Sequence, residues 1–440
     1  MKWLVNGRLF DGELLREGLC DLVIDKGRVA KIAPAGRFVP PEAATRIDLD
    51  GRIIAPGFID LHAHLRDPGQ EWREDIVSGS RAAAAGGFTT VVAMPNTDPP
   101  IDRSSLVRYV LERGQSAGAA RVLPAGSVTK GRRGQELAEM WFMANEGAAI
   151  FTDDGLPVST AHLLRTALLY ADDLGMAIME HPEELSLTKD AQVNDGPCAA
   201  RSGLKGAPKS AELIAVERGI ALAKDTGAHL HLTHLSAEES LEAVRRAKGD
   251  GINITCDVTP HHLTLDESLI EKSGYNAAYK VNPPLRSERD LEALWEGLAD
   301  GTVDAIATDH APYHLDEKDL PFQEAASGIA SLECAVAVVF DAWLKRGKPF
   351  GIERLLRLFT AGPASVLRKS DLGRIEEGSV ADITALDIGR ERRVETKRWE
   401  SKARITPWEG SALCGWPVMT MREGKVIWVD GDGGLHAERD

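Results

Sequence analysis

Between residues 57 and 307 the chain alternates short apolar runs with longer amphipathic stretches, and this alternation restricts its architecture more than any other feature. Eight strand-like runs occur, at residues 57–61, 89–94, 121–125, 148–151, 177–180, 229–232, 253–256 and 303–307. Helical candidates fall between several of them, including residues 74–85, 159–171, 211–224 and 237–248. Strands alternating with helices require right-handed crossovers and build a parallel sheet. Eight repeats over about 310 residues fit a closed (β/α)8 TIM barrel. An open, doubly wound sheet is the competing arrangement, but no Gly-x-Gly-x-x-Gly loop follows the first strand to support it.

The two ends of the 440-residue chain have a different texture. Residues 22–25 and 29–32 flank Lys26-Gly27, and Asp50-Gly51 links two further strand-like pieces. Near the C-terminus, residues 418–422 and 425–429 flank Glu423-Gly424, and residues 381–386 alternate. Glycine supplies the positive φ that such tight turns need. Neither end is long enough to bury a good core alone, so the two are expected to pair into one small β-domain. The expected division is residues 1–55 and 366–440 for that domain and 56–365 for the barrel.

Composition narrows the class of function. Acidic residues number 67 against 52 basic ones, a formal charge of −15. That balance excludes non-specific nucleic-acid binding, which needs clustered Lys and Arg, but leaves room for a small anionic substrate that responds to the local field. No apolar run reaches the roughly 18 residues of a membrane span. Asp11 and Glu13 interrupt any signal-peptide core, so a cytoplasmic protein is expected. The five cysteines are scattered and never spaced Cys-x-x-Cys, which argues against both a disulfide framework and a thiolate metal site.

The histidines are more selective. The first strand runs into Asp60-Leu61-His62-Ala63-His64-Leu65-Arg66. Residues two apart on a strand face one side, so His62 and His64 can both point inward and chelate one divalent ion. Active sites of such barrels form at the C-terminal strand ends, and ligand-type residues recur there. The fourth strand ends in Thr152-Asp153-Asp154-Gly155, the fifth in Glu180-His181-Pro182-Glu183, the sixth continues to His234, and the eighth ends in Thr308-Asp309-His310. His62, His64, His181, His234, Asp154 and Asp309 therefore form the candidate metal cluster. One of Asp153 and Asp154 is expected to cap a turn, leaving the other for chemistry. His229 and His231 are expected to be core or supporting residues, and His310 a supporting one. His261 and His262 could line the site or pack beneath it, while His162 and His436 read as surface residues. Such a set suits one or two zinc ions, with a carboxylate bridging a pair that shares a hydroxide nucleophile. A further carboxylate would move the hydroxide proton to a leaving nitrogen, chemistry for a C–N bond at a polarised carbonyl.

The segment Pro56-Gly57-Phe58-Ile59-Asp60-Leu61-His62-Ala63-His64 resembles the opening motif of the cyclic amidases in the amidohydrolase superfamily. Ala93-Met94-Pro95-Asn96-Thr97, Phe151-Thr152-Asp153-Asp154-Gly155, Val258-Thr259-Pro260-His261-His262-Leu263, Val281-Asn282-Pro283-Pro284-Leu285-Arg286 and Ala307-Thr308-Asp309-His310-Ala311-Pro312 resemble segments of the bacterial class I dihydroorotases. The resemblance implies reversible cyclisation of N-carbamoyl-L-aspartate to (S)-dihydroorotate in pyrimidine synthesis. It implies two zinc ions: one on His62, His64 and Asp309, the other on His181 and His234, bridged by Asp154 and a hydroxide. Asp309 would be the catalytic acid–base group. In related dihydropyrimidinases the bridge is a carboxylated lysine, and no lysine stands near the end of the fourth strand here.

Arg66, Asn96 and Asn282 resemble the family's substrate-binding set. A guanidinium fork suits a carboxylate bidentately, and an amide can both donate to and accept from a ureido edge. After Pro312 the family usually has a substrate-binding histidine. Here Tyr313 stands at that position and His314 follows, so either could make the contact. The segment through Phe322 to Ser327-Gly328 resembles the family's substrate-contacting loop and is a candidate for closure over the site. The resemblance is also compatible with a homodimer and with association with aspartate transcarbamoylase. The alternatives are another cyclic amidase, such as an allantoinase or hydantoinase, and a non-catalytic scaffold that has lost its metals.

Overall fold

The computed structural model describes residues 1–37, 39 and 44–431, and His436 lies outside them. All eight expected runs form strands: Phe58–Ala63, Phe88–Ala93, Arg121–Gly126, Ile150–Phe151, Ile178–Glu180, Leu230–Leu232, Ile254–Val258 and Ala305–Ile306. Each pairs in parallel with the next, in chain order. The ring closes where Ala63 bridges His310 in parallel and the His64 N–H donates to His310 O at 2.8 Å. At the other end of this seam the backbone of Leu358 and Phe359 fills the gap: Ile306 N–H donates to Leu358 O at 3.0 Å and Ile59 N–H to Phe359 O at 2.9 Å.

One long helix follows each strand: Ile76–Ala85, Ser104–Ala117, Met140–Glu146, Ala161–Asp173, Lys209–Thr226, Glu238–Gly249, Glu288–Asp300 and Ala335–Lys345. Local chemistry sets their starts. Asp75 with Ser78, and Ser287 with Asp290, form reciprocal capping boxes that satisfy orphan N–H groups. Between strands and helices lies the largest apolar cluster, in which Phe58, Phe88 and Phe359 pack edge-on or tilted at centroid distances of 5.5–6.3 Å. Full burial of each such side chain is worth roughly 2–3 kcal/mol, which ties the seam to the strands it joins.

The two chain ends share one sheet, as expected. Its order is Lys425–Val429, Ala412–Arg422, Ile383–Arg393, Ile53–Pro56, Lys2–Leu9, Cys20–Asp25, Arg28–Pro34. The ends meet where Ile383 to Leu386 pair antiparallel with Pro56 to Ile53. The pieces around Asp50-Gly51 do not form a hairpin: Thr45–Asp48 and Ile53–Pro56 both run parallel to Lys2–Leu9, one after the other. Asp50 and Gly51, at φ 50° and 77°, make a step between two stretches of pairing. All five cysteines are unpaired thiols. Among the described residues no helix is long and apolar enough to cross a membrane.

Candidate metal centre

The C-terminal ends of the strands bring the six predicted ligands into one buried cluster. His62 Nε2 lies 3.3 Å from Asp154 Oδ1 and 3.5 Å from Asp309 Oδ1. His64 Nε2 lies 3.1 Å from Asp309 Oδ1 and 3.6 Å from Asp154 Oδ2. Across the barrel, His181 Nδ1 is 2.9 Å from His234 Nε2, and these nitrogens lie 3.9 and 3.8 Å from Asp154 Oδ1. Two triads result, His62–His64–Asp154 and Asp154–His181–His234, each with ligand atoms within 4.8 Å of one another. Asp154 belongs to both. His62 Nε2 is a buried nitrogen with no hydrogen-bond partner at the centre of this set. An imidazole–carboxylate donor set with an orphaned inward nitrogen fits a pair of divalent cations better than it fits a proton network.

Supporting groups fix several of the rings. His62 Nδ1 is 2.8 Å from Thr233 Oγ1, His64 Nδ1 is 2.9 Å from Asn96 Oδ1, and His181 Nε2 is 2.6 Å from Glu183 Oε2. Asp257 accepts from His234 N–H at 2.6 Å and from Thr233, and meets His231 Nε2 at 2.8 Å. Such partners set which ring nitrogen faces the ion and raise its basicity. Thr233, Glu183 and Asp257 were not anticipated from the sequence; their position beside strand ends was the available signal. Asp153 accepts from the backbone N–H groups of Val128 and Thr129, so it anchors a loop while Asp154 faces the histidines. His231 supports through Asp257, and His229 bonds Thr255. His310 accepts from Ser331 N–H at 3.1 Å, and His162 is exposed. His262 packs beneath the site between Thr259 and Pro283 O, whereas His261 is buried with both ring nitrogens unpartnered.

Arg66, His234 and Asp309 adopt φ of 59°, 41° and 43°, a left-handed region that side chains with a Cβ rarely enter and that is enriched at functional sites. The register of the first strand against the second also shifts between Asp60 and Ala63, an irregularity of the kind that re-aims side chains.

Electrostatics follow from this crowding. Burial disfavours charge on His62, but Asp154 and Asp309 beside it outweigh that and raise it to about 10. Burial likewise opposes charge on Asp309, yet the hydrogen bond from His64 and the nearby His62 hold its carboxyl well below the ordinary range. Asp154 is lowered in the same way, chiefly by His62 and His234 against the cost of burial.

The predicted substrate residues are not all brought to the cluster. Arg66 is buried, donates from Nε to Pro312 O at 3.3 Å, and lies 4.7 Å over the Tyr313 ring. Asn96 Oδ1 accepts from His64 Nδ1, while Asn282 donates to Glu183 Oε2 at 3.1 Å. Asn282 and Ser327 line a cavity of about 260 Å³ together with Glu183, Gln192 and Val193. Gly328 is buried against Tyr313. His314 is not brought to the cluster: it faces solvent, with Nδ1 accepting from Asp316 N–H at the start of a four-residue helix. A larger cavity of about 740 Å³ lies elsewhere, between Asp11 to Arg16 and Ala361 to Glu376, and contains none of the predicted site residues.

Comparison with known proteins agrees with the geometry. A family model described as Dihydro-orotase-like matches residues 51–240, and one described as Amidohydrolase family matches residues 214–428. A dihydroorotase of Anaeromyxobacter dehalogenans (strain 2CP-C) is 43% identical over 429 residues, 98% of each chain. A dihydroorotase of Deinococcus radiodurans is 45% identical over 389 residues, 88% of this chain and 92% of the other. Among solved structures, an L-hydantoinase from Arthrobacter aurescens superposes with a TM-score of 0.86 at 25% identity, covering 99% of this chain and 97% of that one. A D-hydantoinase from Thermus sp. superposes with a TM-score of 0.81 at 23% identity, over 100% and 97%, a likeness of fold.

Proposed function

The chain belongs to the dihydroorotase family of metal-dependent cyclic amidohydrolases, and from that premise we propose that it interconverts N-carbamoyl-L-aspartate and (S)-dihydroorotate at a binuclear centre. The observation that carries this reading is the sharing of Asp154 by two histidine pairs at the barrel mouth. His62, His64 and Asp309 would hold one ion, His181 and His234 the other, and Asp154 would serve both. When bound, such ions acidify a water and polarise a carbonyl oxygen.

The protein's own groups account for the rest. Asp309, ionised at rest, accepts the proton of the attacking water and delivers it to the ring nitrogen as the C–N bond breaks. In the biosynthetic direction the protonated Asp309 donates to the oxygen that departs as water when the ring closes. Asn96 and Glu183 orient His64 and His181. Arg66, held by Pro312 O and the Tyr313 ring, presents its fork to the substrate carboxylate. Tyr313 takes the place of the family's usual histidine, and Asn96, Asn282, Ser327 and Gly328 complete the substrate contacts. His314 would join them only if its helix unwound, since it caps that helix in solvent. Zinc as the metal, the pyrimidine pathway and a cytoplasmic location belong to the same proposal. So does association with a second copy or with aspartate transcarbamoylase, which sedimentation of the mixed proteins would detect.

The test is turnover of dihydroorotate against hydantoin, dihydrouracil and allantoin. Dihydroorotate should be preferred, and Arg66→Ala should remove the preference, because only that substrate has a ring carboxylate to meet the guanidinium. Equal rates on all four in the wild type would refute the proposal. A hydantoinase-type activity is the second reading, favoured by the superposition on an L-hydantoinase.

A further inference from the structure

The loop that follows the eighth strand carries Tyr313, Ser327 and Gly328, and two buried lysines reach into it. Lys280 and Lys318 are 4% and 5% exposed. Lys318 Nζ donates to Ala326 O at 2.9 Å and Gly328 O at 2.8 Å, with Lys280 O at 3.4 Å. Lys280 Nζ donates to Phe322 O at 2.7 Å and Gln323 O at 3.0 Å. Among the described residues neither ammonium has a carboxylate within 4.0 Å. Backbone bonds tie the same segments: Gly328 N–H donates to Lys280 O and Ala326 N–H to Glu317 O, both at 2.9 Å. Outside this ring, Arg73 Nε meets both carboxylate oxygens of Glu317 at 3.0 Å. Phe322 packs with Val193, Cys198, Leu204 and Ile270 in a small apolar cluster of its own.

A buried cation without an anion is costly unless hydrogen bonds satisfy it. Burial lowers Lys318 to about 7, and the carbonyl cage is its compensation. An apolar side chain would fill the same space more cheaply. What the ammonium adds is direction, because it holds several loop carbonyls to one point. The effect reaches the pocket through Gly328, where a Cβ would lie 2.7 Å from Ala311 O and 2.8 Å from the Tyr313 ring. Tyr313 in turn lies against Arg66.

We infer that Lys280 and Lys318 are positioning residues that hold residues 313–328 as a preformed rim of the substrate pocket, not as a lid that folds down on binding. The inference rests on the reading of Tyr313, Ser327 and Gly328 as substrate contacts. Hydrogen exchange on the metal-loaded full chain, with and without dihydroorotate, tests it. Amides 322–328 should exchange slowly before ligand is added and change by less than about twofold afterwards. Lys318→Met and Lys280→Met should each speed exchange there at least about tenfold. The same variants should raise KM for dihydroorotate about tenfold, with kcat within about threefold and metal content unchanged. Fast exchange in the ligand-free wild type, with protection on binding, would overturn the inference, and this arm stands even where a variant fails to fold. Variants with wild-type exchange and KM would overturn it too. A wild type that ignores dihydroorotate yet exchanges slowly at 322–328 would refute the substrate assignment while leaving the rim intact.

Discussion

Replacing Asp154 by Asn keeps the shape of the side chain and removes the one charge common to both triads. The consequence for His62 can be estimated in two ways. Opposite unit charges 3.3 Å apart attract by about 5 kcal/mol at an effective dielectric constant of about 20. Independently, the rise of His62 from 6.5 to about 10 corresponds to about 5 kcal/mol of preference for the charged ring. Asp309, at 3.5 Å, supplies part of this and remains in the variant. In the metal-free Asp154→Asn protein the pKa of His62 should therefore fall by up to about three to four pH units, followed through the ring Cε1–H resonance in an NMR titration. Loss of the shared ligand should also cut metal content from two ions to one or fewer and lower turnover at least about a thousandfold. Elemental analysis and a dihydroorotate assay on the same preparation read both effects, with a thermal melt to confirm folding. Two bound ions and wild-type turnover in this variant would refute the role given to Asp154.

Other substitutions separate the remaining roles. Asp309→Asn should abolish measurable turnover, a loss of at least about a thousandfold, in a protein that still melts cooperatively; near-normal turnover would sink its assignment as acid–base group. Asn96→Ala frees the His64 ring, so chelator competition should show the first ion held about ten- to a hundredfold more weakly while the second is unaffected. The metal-free protein should also respond to pH. Because His62 is raised in the folded state, its contribution to stability is fully present below pH 6.5 and is lost as pH rises through about 10. Metal-free melting temperature should thus fall across that window, while metal affinity climbs as the competing proton leaves. A flat profile in both would contradict the charge state assigned to His62.

Much of the fold was legible because each barrel strand is its own apolar run, and much of the candidate site because ligand-type side chains sit where those runs end. His62, Asp154, His181, His234 and Asp309 could be aligned by that rule alone, although up to 247 residues separate them. The link at Asp50-Gly51 between two strands was legible, but positive φ specifies a change of direction, not which strand the next segment joins. Asp153 and Asp154 could not be told apart in sequence, since the distinction rests on N–H groups 24 to 25 residues upstream. Asp257, Thr233, Lys280 and Lys318 were invisible for a similar reason. Their meaning lies in partners from other strands, and a buried Lys reads in sequence like any surface Lys.

The proposed chemistry needs six buried side chains to hold a pair of metal ions, with Asp309 moving the proton as a carboxylated cyclic amide opens and closes. Metal content and dihydroorotate hydrolysis, measured on one preparation before and after chelation and after zinc is restored, test it most directly. About two ions per chain are expected, with loss of hydrolysis on their removal and recovery on their return. Undiminished hydrolysis by metal-free protein, or a fully loaded protein that leaves dihydroorotate untouched, would contradict it.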